Sequence, residues 1–115
     1  MPEQPTNPED VKILTLARST RVRTHAAEGA CVRDLDGRTY AGASVALASL
    51  QLSAVALAVA MAASSGAIGL EAVAVVTDAG RVADDDLSVV RDFAGEGVPV
   101  FRADIRAEVQ DTHTT

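Results

Sequence analysis

The chain has 115 residues and a mass of 11.8 kDa, the size of one domain. Its 48% apolar content excludes a disordered acidic tail despite a formal charge of −6, and 3% aromatics with no Trp leave Ala and Val to build the core. The single cysteine, Cys31, excludes an internal disulfide framework and any zinc site that needs two or more thiolates.

In chain order, residues 1–7 read as a loose polar arm with no signal peptide, which with the rest points to a cytoplasmic protein. Asn7-Pro8-Glu9-Asp10 is a helix start: Asn7 caps free N–H groups, Pro8 has the φ of a first helical position, and the two acids suit the positive end of the dipole. This helix should cover residues 8–23, with Val11, Ile13, Leu14, Leu16 and Ala17 as its apolar stripe. Gly29–Leu35 reads as a strand, Asp36-Gly37 as a tight turn and Arg38–Ser44 as the return strand. The Ala/Leu/Val run from Ala48 to Ser64 predicts a central helix packed on most sides, ended by Gly66 and Gly69. Leu70–Thr77 is a continuous apolar run, as for a strand covered on both faces. Asp84-Asp85-Asp86 opens a third helix with Leu87, Val90, Phe93 and Ala94 inside and Gly95 at its end. Val98–Phe101 is a further strand, and residues 102–115 are a tail that either extends a helix or stays disordered. The element order predicts an α/β fold, a three-layer α/β/α sandwich with a mixed sheet of four or five strands; the domain itself spans 8–101.

No residue between Arg38 and Glu71 is charged, which meets the length of a membrane span. Its six Ser and Gln interruptions and one-sided basic flank instead favour a strand followed by a buried helix. Charge is divided unevenly: residues 1–70 hold six acids and six bases, while residues 71–115 hold ten acids and four bases. Lys12, Arg18, Arg21 and Arg23, with Arg33 and Arg38, form either a basic face for an RNA or phosphate partner or an ordinary solvated surface with ion pairs.

These elements and their local words resemble the small cytidine deaminase family over residues 8–101. Glu28-Gly29-Ala30-Cys31 and Asp36-Gly37-Arg38-Thr39-Tyr40 stand where that family has a "VGAA" strand and a "DGR" turn. Gly42–Ser49 stands where it reads G-C-N-V-E-N-A-S, Leu52–Ala60 where it reads L-T-V-C-A-E-R-x-A, and Val82–Phe93 where it reads P-C-x-x-C-R-x-x-x-x-F. The resemblance is strongest to a short actinobacterial branch encoded beside a ribosome-assembly GTPase, through Leu14-Thr15-Leu16-Ala17-Arg18-Ser19 and Ala74-Val75-Val76-Thr77-Asp78.

The resemblance implies a three-ligand zinc ion activating water and a glutamate moving protons. It places the zinc ligands at Val55, Ala83 and Asp86, the glutamate at Leu57, and the nucleoside-gripping Asn and Glu at Ser44 and Ala46. An aliphatic side chain neither binds zinc nor moves a proton, and residues 66–115 contain no Cys. The expectation is therefore a catalytically inactive member with no cofactor, an oligomeric interaction or regulatory module tied by association to ribosome or RNA maturation. The alternative is a nucleoside or nucleotide sensor that keeps Ser44 and Asp86 as polar contacts. Self-association is expected through the Ala-rich segment 48–65, as in the family's dimers and tetramers.

The remaining candidates have plain readings beside functional ones. Asp84-Asp85-Asp86 is a helix cap or a hard-cation site; Asp78 is a turn former or a residue at a pocket mouth. His25 with Glu28 is an acid/base pair or a loop histidine, and Cys31 is a small buried residue or a nucleophile. Ser49, Ser53, Ser64 and Ser65 are expected to bond back to helical carbonyls or to sit at close contacts.

Overall fold

The computed structural model describes residues 2–115. Helix α1 (Pro8–Thr24) begins as its sequence dictates, with the Asn7 side chain accepting from the Glu9 amide at 2.9 Å. It ends at His25 in the left-handed region (φ 55°), whose N–H reaches the Arg21 and Val22 carbonyls. The hairpin β1 (Gly29–Asp34) and β2 (Thr39–Ala43) turns at Gly37, with φ +84°. There Asp34 Oδ1 accepts from the amides of Asp36 and Arg38, both at 2.9 Å.

Residues 48–52 depart from the expected helix and fold back on residues 45–47. Together they form a separate two-stranded ribbon, β3 (Val45–Leu47) and β4 (Leu50–Leu52), with Val45 opposite Leu52 and Leu47 opposite Leu50. Helix α2 (Ala54–Ser64) starts only at Ser53, whose hydroxyl accepts from the Ala56 amide at 3.0 Å. The alternation of Val45, Leu47, Leu50 and Leu52 outweighed the helix propensity of Ala48, and the cap set the boundary. The helix buries Ala54, Val55, Ala58, Val59 and Ala62 but leaves Ala60, Met61 and Ala63 exposed, so it is covered on one side in a single chain.

Strand β5 (Leu70–Val76) is buried throughout except at Glu71. Helix α3 (Asp84–Ala94) then leads to β6 (Pro99–Ala103), parallel to β5. Residues 104–115 neither extend a helix nor form a loose tail: β7 (Val109–Thr114) pairs antiparallel with β6 and completes a five-stranded mixed sheet ordered β2-β1-β5-β6-β7. The segment before α1 is also held. The Gln4 side-chain amide donates to the Val109 carbonyl at 2.9 Å and accepts from its N–H at 2.8 Å.

The sheet is the middle of three layers. On one face, Ile13, Leu14 and Ala17 of α1 lie on a floor of small residues, Cys31, Ala72 and Ala74, beside Phe101. The other face carries Val32, Val73, Val75 and Val100 against α2 and α3. Small side chains under α1 let helix and sheet approach closely, which is how a core nearly free of aromatics still closes. Among the described residues no helix is long and apolar enough to cross a membrane.

Candidate functional site

The N-termini of α2 and α3 meet on the valine-rich face of the sheet, and most of the positions singled out in the sequence gather there. Val55 is wholly buried one residue into α2. Leu57 is half-buried and packs over β2, where a Cβ on Gly42 would come 3.0 Å from its Cγ. Ala83 is the N-cap of α3 and contributes no side-chain cap. Asp86 is 8% exposed and accepts from the Ser53 hydroxyl at 2.5 Å.

This contact corrects two expectations. The acidic triplet does not cap its own helix: Asp84 pairs with exposed Arg81, and Asp86 turns to α2. Ser53 does not bond back to a helical carbonyl; its lone pair takes the Ala56 amide and its proton goes to Asp86. Residues 33 apart in sequence on different helices leave no local pattern, so the pair could not be read in advance.

Ser44 and Ala46 are not brought to Asp86 by any hydrogen bond. Ser44 prolongs the β1–β2 ladder by one pair: its N–H donates to the Glu28 carbonyl at 3.0 Å and its Oγ accepts from the Glu28 amide at 3.1 Å. Ala46 is exposed on the ribbon. A surface cavity of about 270 Å³ borders the start of α3, between Arg81, Val82, Asp84 and Leu87 on one side and Asp111 and His113 of β7 on the other, and two more lie beside the N-terminal segment.

The remaining candidates are dispersed. The Glu28 carboxylate accepts from the buried Thr77 hydroxyl at 2.8 Å rather than engaging His25, which serves as the C-cap of α1. Asp78 pairs with Arg21 at 2.9 Å. Cys31 is wholly buried on the α1 face of the sheet, and burial pushes its thiol up to about 11, so it stays protonated and inert at neutral pH.

The basic residues do not form one free face. Arg33 lies in the protein between Asp10 and Glu71, both at 2.9 Å. Burial disfavours its charge, but the two carboxylates outweigh that and raise its pKa further. Arg18 donates to the Ile105 carbonyl at 2.9 Å. Lys12 and Arg23 are exposed.

A mixed five-stranded sheet between one helix and two, with a buried junction where the two helices start, defines the class of fold. The chain belongs to the cytidine deaminase-like family, whose model matches residues 6–107. No curated protein is significantly similar in sequence. The fold is similar to the crystal structure of cytidine deaminase from Burkholderia pseudomallei, with TM-score 0.76 and 20% identity over 91% of this chain and 90% of that one. It is similar to cytidine deaminase from Mycobacterium leprae, with TM-score 0.72 and 18% identity over 90% and 91%. The enzyme from Mycobacterium tuberculosis gives 0.62 and 22% identity over 75% and 81%.

The zinc ion that this resemblance implies does not fit the donors present. Of Val55, Ala83 and Asp86, only Asp86 can coordinate, and its carboxylate is engaged by Ser53. Among the described residues no group of three or more His, Cys, Asp or Glu could hold a metal ion. Cys31 lies across the sheet from α2 and α3.

Proposed function

We propose that this protein is a cytidine deaminase-like fold without deaminase chemistry, acting as an oligomeric interaction or regulatory module linked to ribosome or RNA maturation. The observation that carries this reading is that one polar side chain, Asp86, stands among the four positions assigned to zinc and proton transfer, and it is bonded to Ser53. A general acid/base needs a titrating group beside the reacting atom, and Leu57 cannot be one. The sensor alternative is the weaker reading, because Ser44 bonds the Glu28 backbone, one Asp86 oxygen holds Ser53, and no hydrogen bond brings Ser44 and Asp86 together.

Self-association is supported by the ribbon and α2, which leave Leu47 60%, Leu50 47% and Met61 37% exposed in a single chain. A two-stranded ribbon gains little stability alone and calls for something to cover it.

The test is zinc content and cytidine turnover of the purified protein. This reading expects substoichiometric zinc and no turnover above buffer. Stoichiometric zinc, or turnover that Asp86→Ala abolishes, overturns it. Calorimetry with a nucleoside panel separates the alternative, since a pure interaction module gives no heat.

A further inference from the structure

The geometry points to the Ser53–Asp86 hydrogen bond as the joint that fastens the starts of α2 and α3 to each other, doing with two side chains what the family's architecture would assign to a metal ion. Three observations carry it. Asp86 is the third residue of α3, the position from which an acid ordinarily reaches back to cap its own helix; here it reaches across to α2. The cap residue of α3 is Ala83, which offers no side-chain acceptor, so that helix start has no side-chain cap of its own. Ser53 uses both capacities of its hydroxyl, accepting from Ala56 and donating to Asp86.

Electrostatics give the joint its sign. Each helix N-terminus carries a partial positive charge, and two of them facing each other would repel. The Asp86 carboxylate belongs to one and touches the cap of the other, so a single negative charge serves both. Among the described residues no salt bridge reaches Asp86, which leaves the helix ends and the Ser53 hydroxyl as its compensation. A charge-assisted hydrogen bond in a site only 8% exposed is among the stronger single contacts a small domain makes.

Equilibrium unfolding of a mutant cycle tests this. Asp86→Ala should lower the folding equilibrium constant about tenfold in the native background and about twofold once Ser53→Ala is present. Equal losses in both backgrounds overturn the proposal. Ser53→Asp retains an acceptor suited to capping α2 but opposes Asp86 with a like charge. It should lose about tenfold in stability and regain most of it on adding Asp86→Asn, whose amide donates across the joint. Failure of Asp86→Asn to restore it also overturns the proposal.

Native-state hydrogen exchange needs no variant. The Leu57 and Leu87 amides donate to the carbonyls of the two cap residues, Ser53 and Ala83, at 3.0 and 3.1 Å. A shared joint makes them open together with the same denaturant dependence; separate isotherms overturn it. Zinc content and turnover decide the functional reading above, and stability coupling decides this one, so either can fail alone.

Discussion

Gly29 on β1 lies so close to α1 that a Cβ there would stand 2.2 Å from the Ala17 carbonyl oxygen. The obstacle is backbone, not the tip of a flexible side chain, so the helix would have to lift from the sheet. Gly29→Ala is expected to cost about 3 kcal/mol or more, at the upper end of overpacking effects. Urea unfolding measures this; a loss below about 1 kcal/mol would show that α1 does not sit that close.

The β1–β2 turn sets a pH dependence at both ends of the scale. Burial alone would raise the Asp34 pKa, but the Tyr40 hydroxyl, the Arg38 and Asp36 amides and the Arg38 charge outweigh it and hold it below the ordinary 3.8. A folded pKa below the unfolded one gives stability that is complete above about pH 4 and lost as pH falls through the folded value. Tyr40 is the mirror case: the Asp34 hydrogen bond first, then burial, raise it above 10.0, so its share is complete below that and lost as pH rises. Asp34→Asn and Tyr40→Phe should each flatten both limbs of an unfolding-midpoint profile, because each removes one partner of the same hydrogen bond. Limbs unchanged in both variants would refute the turn as their source.

Removing the apolar side chains of the ribbon should change association without unfolding the domain. Leu47→Ser with Leu50→Ser is expected to shift sedimentation at tens of micromolar from oligomer to monomer, with the melting temperature of the monomer little changed. A native protein that is already monomeric at that concentration contradicts the self-association reading.

Gln4 fixes the chain before α1 to the start of β7 by two hydrogen bonds to Val109. Gln4→Ala should cost about 1–2 kcal/mol locally. The readout is exchange of the Val109 amide, which should quicken about tenfold or more while the amides of β5 hold their rate. No acceleration at Val109 would show that the contact carries no weight.

Much of this architecture was legible because local chemistry announces it. Asn7-Pro8 starts α1, Asp36-Gly37 turns the hairpin, and the unbroken apolar run at Leu70 gives a strand buried on both faces. The reading failed where propensity competes with pattern: Ala48 sits in an Ala-rich run, yet it belongs to a ribbon turn, and Ser53 was the truer helix boundary. Arg33, read with the basic residues of α1, is enclosed by Asp10 and Glu71, and no charge count identifies which acids a strand residue will meet. At the site, the resemblance assigns Val55, Ala83 and Asp86, and the fold places them at the starts of α2 and α3. The Ser53–Asp86 contact was not legible, because it exists only once two helices have been packed together.

Strand β7 was missed for a reason that has its own effect in solution. After Val109 its residues Gln110, Asp111, Thr112, His113 and Thr114 are polar and exposed, so no apolar alternation marks them as a strand. It is the outermost strand at that side of the sheet, and an outer strand with an apolar surface invites another chain to add on. The Gln4 amide already occupies the N–H and carbonyl of Val109, and Asp111 places a charge farther along. The polarity that hides β7 from a reader of the sequence also guards the sheet against growing into an aggregate from that side.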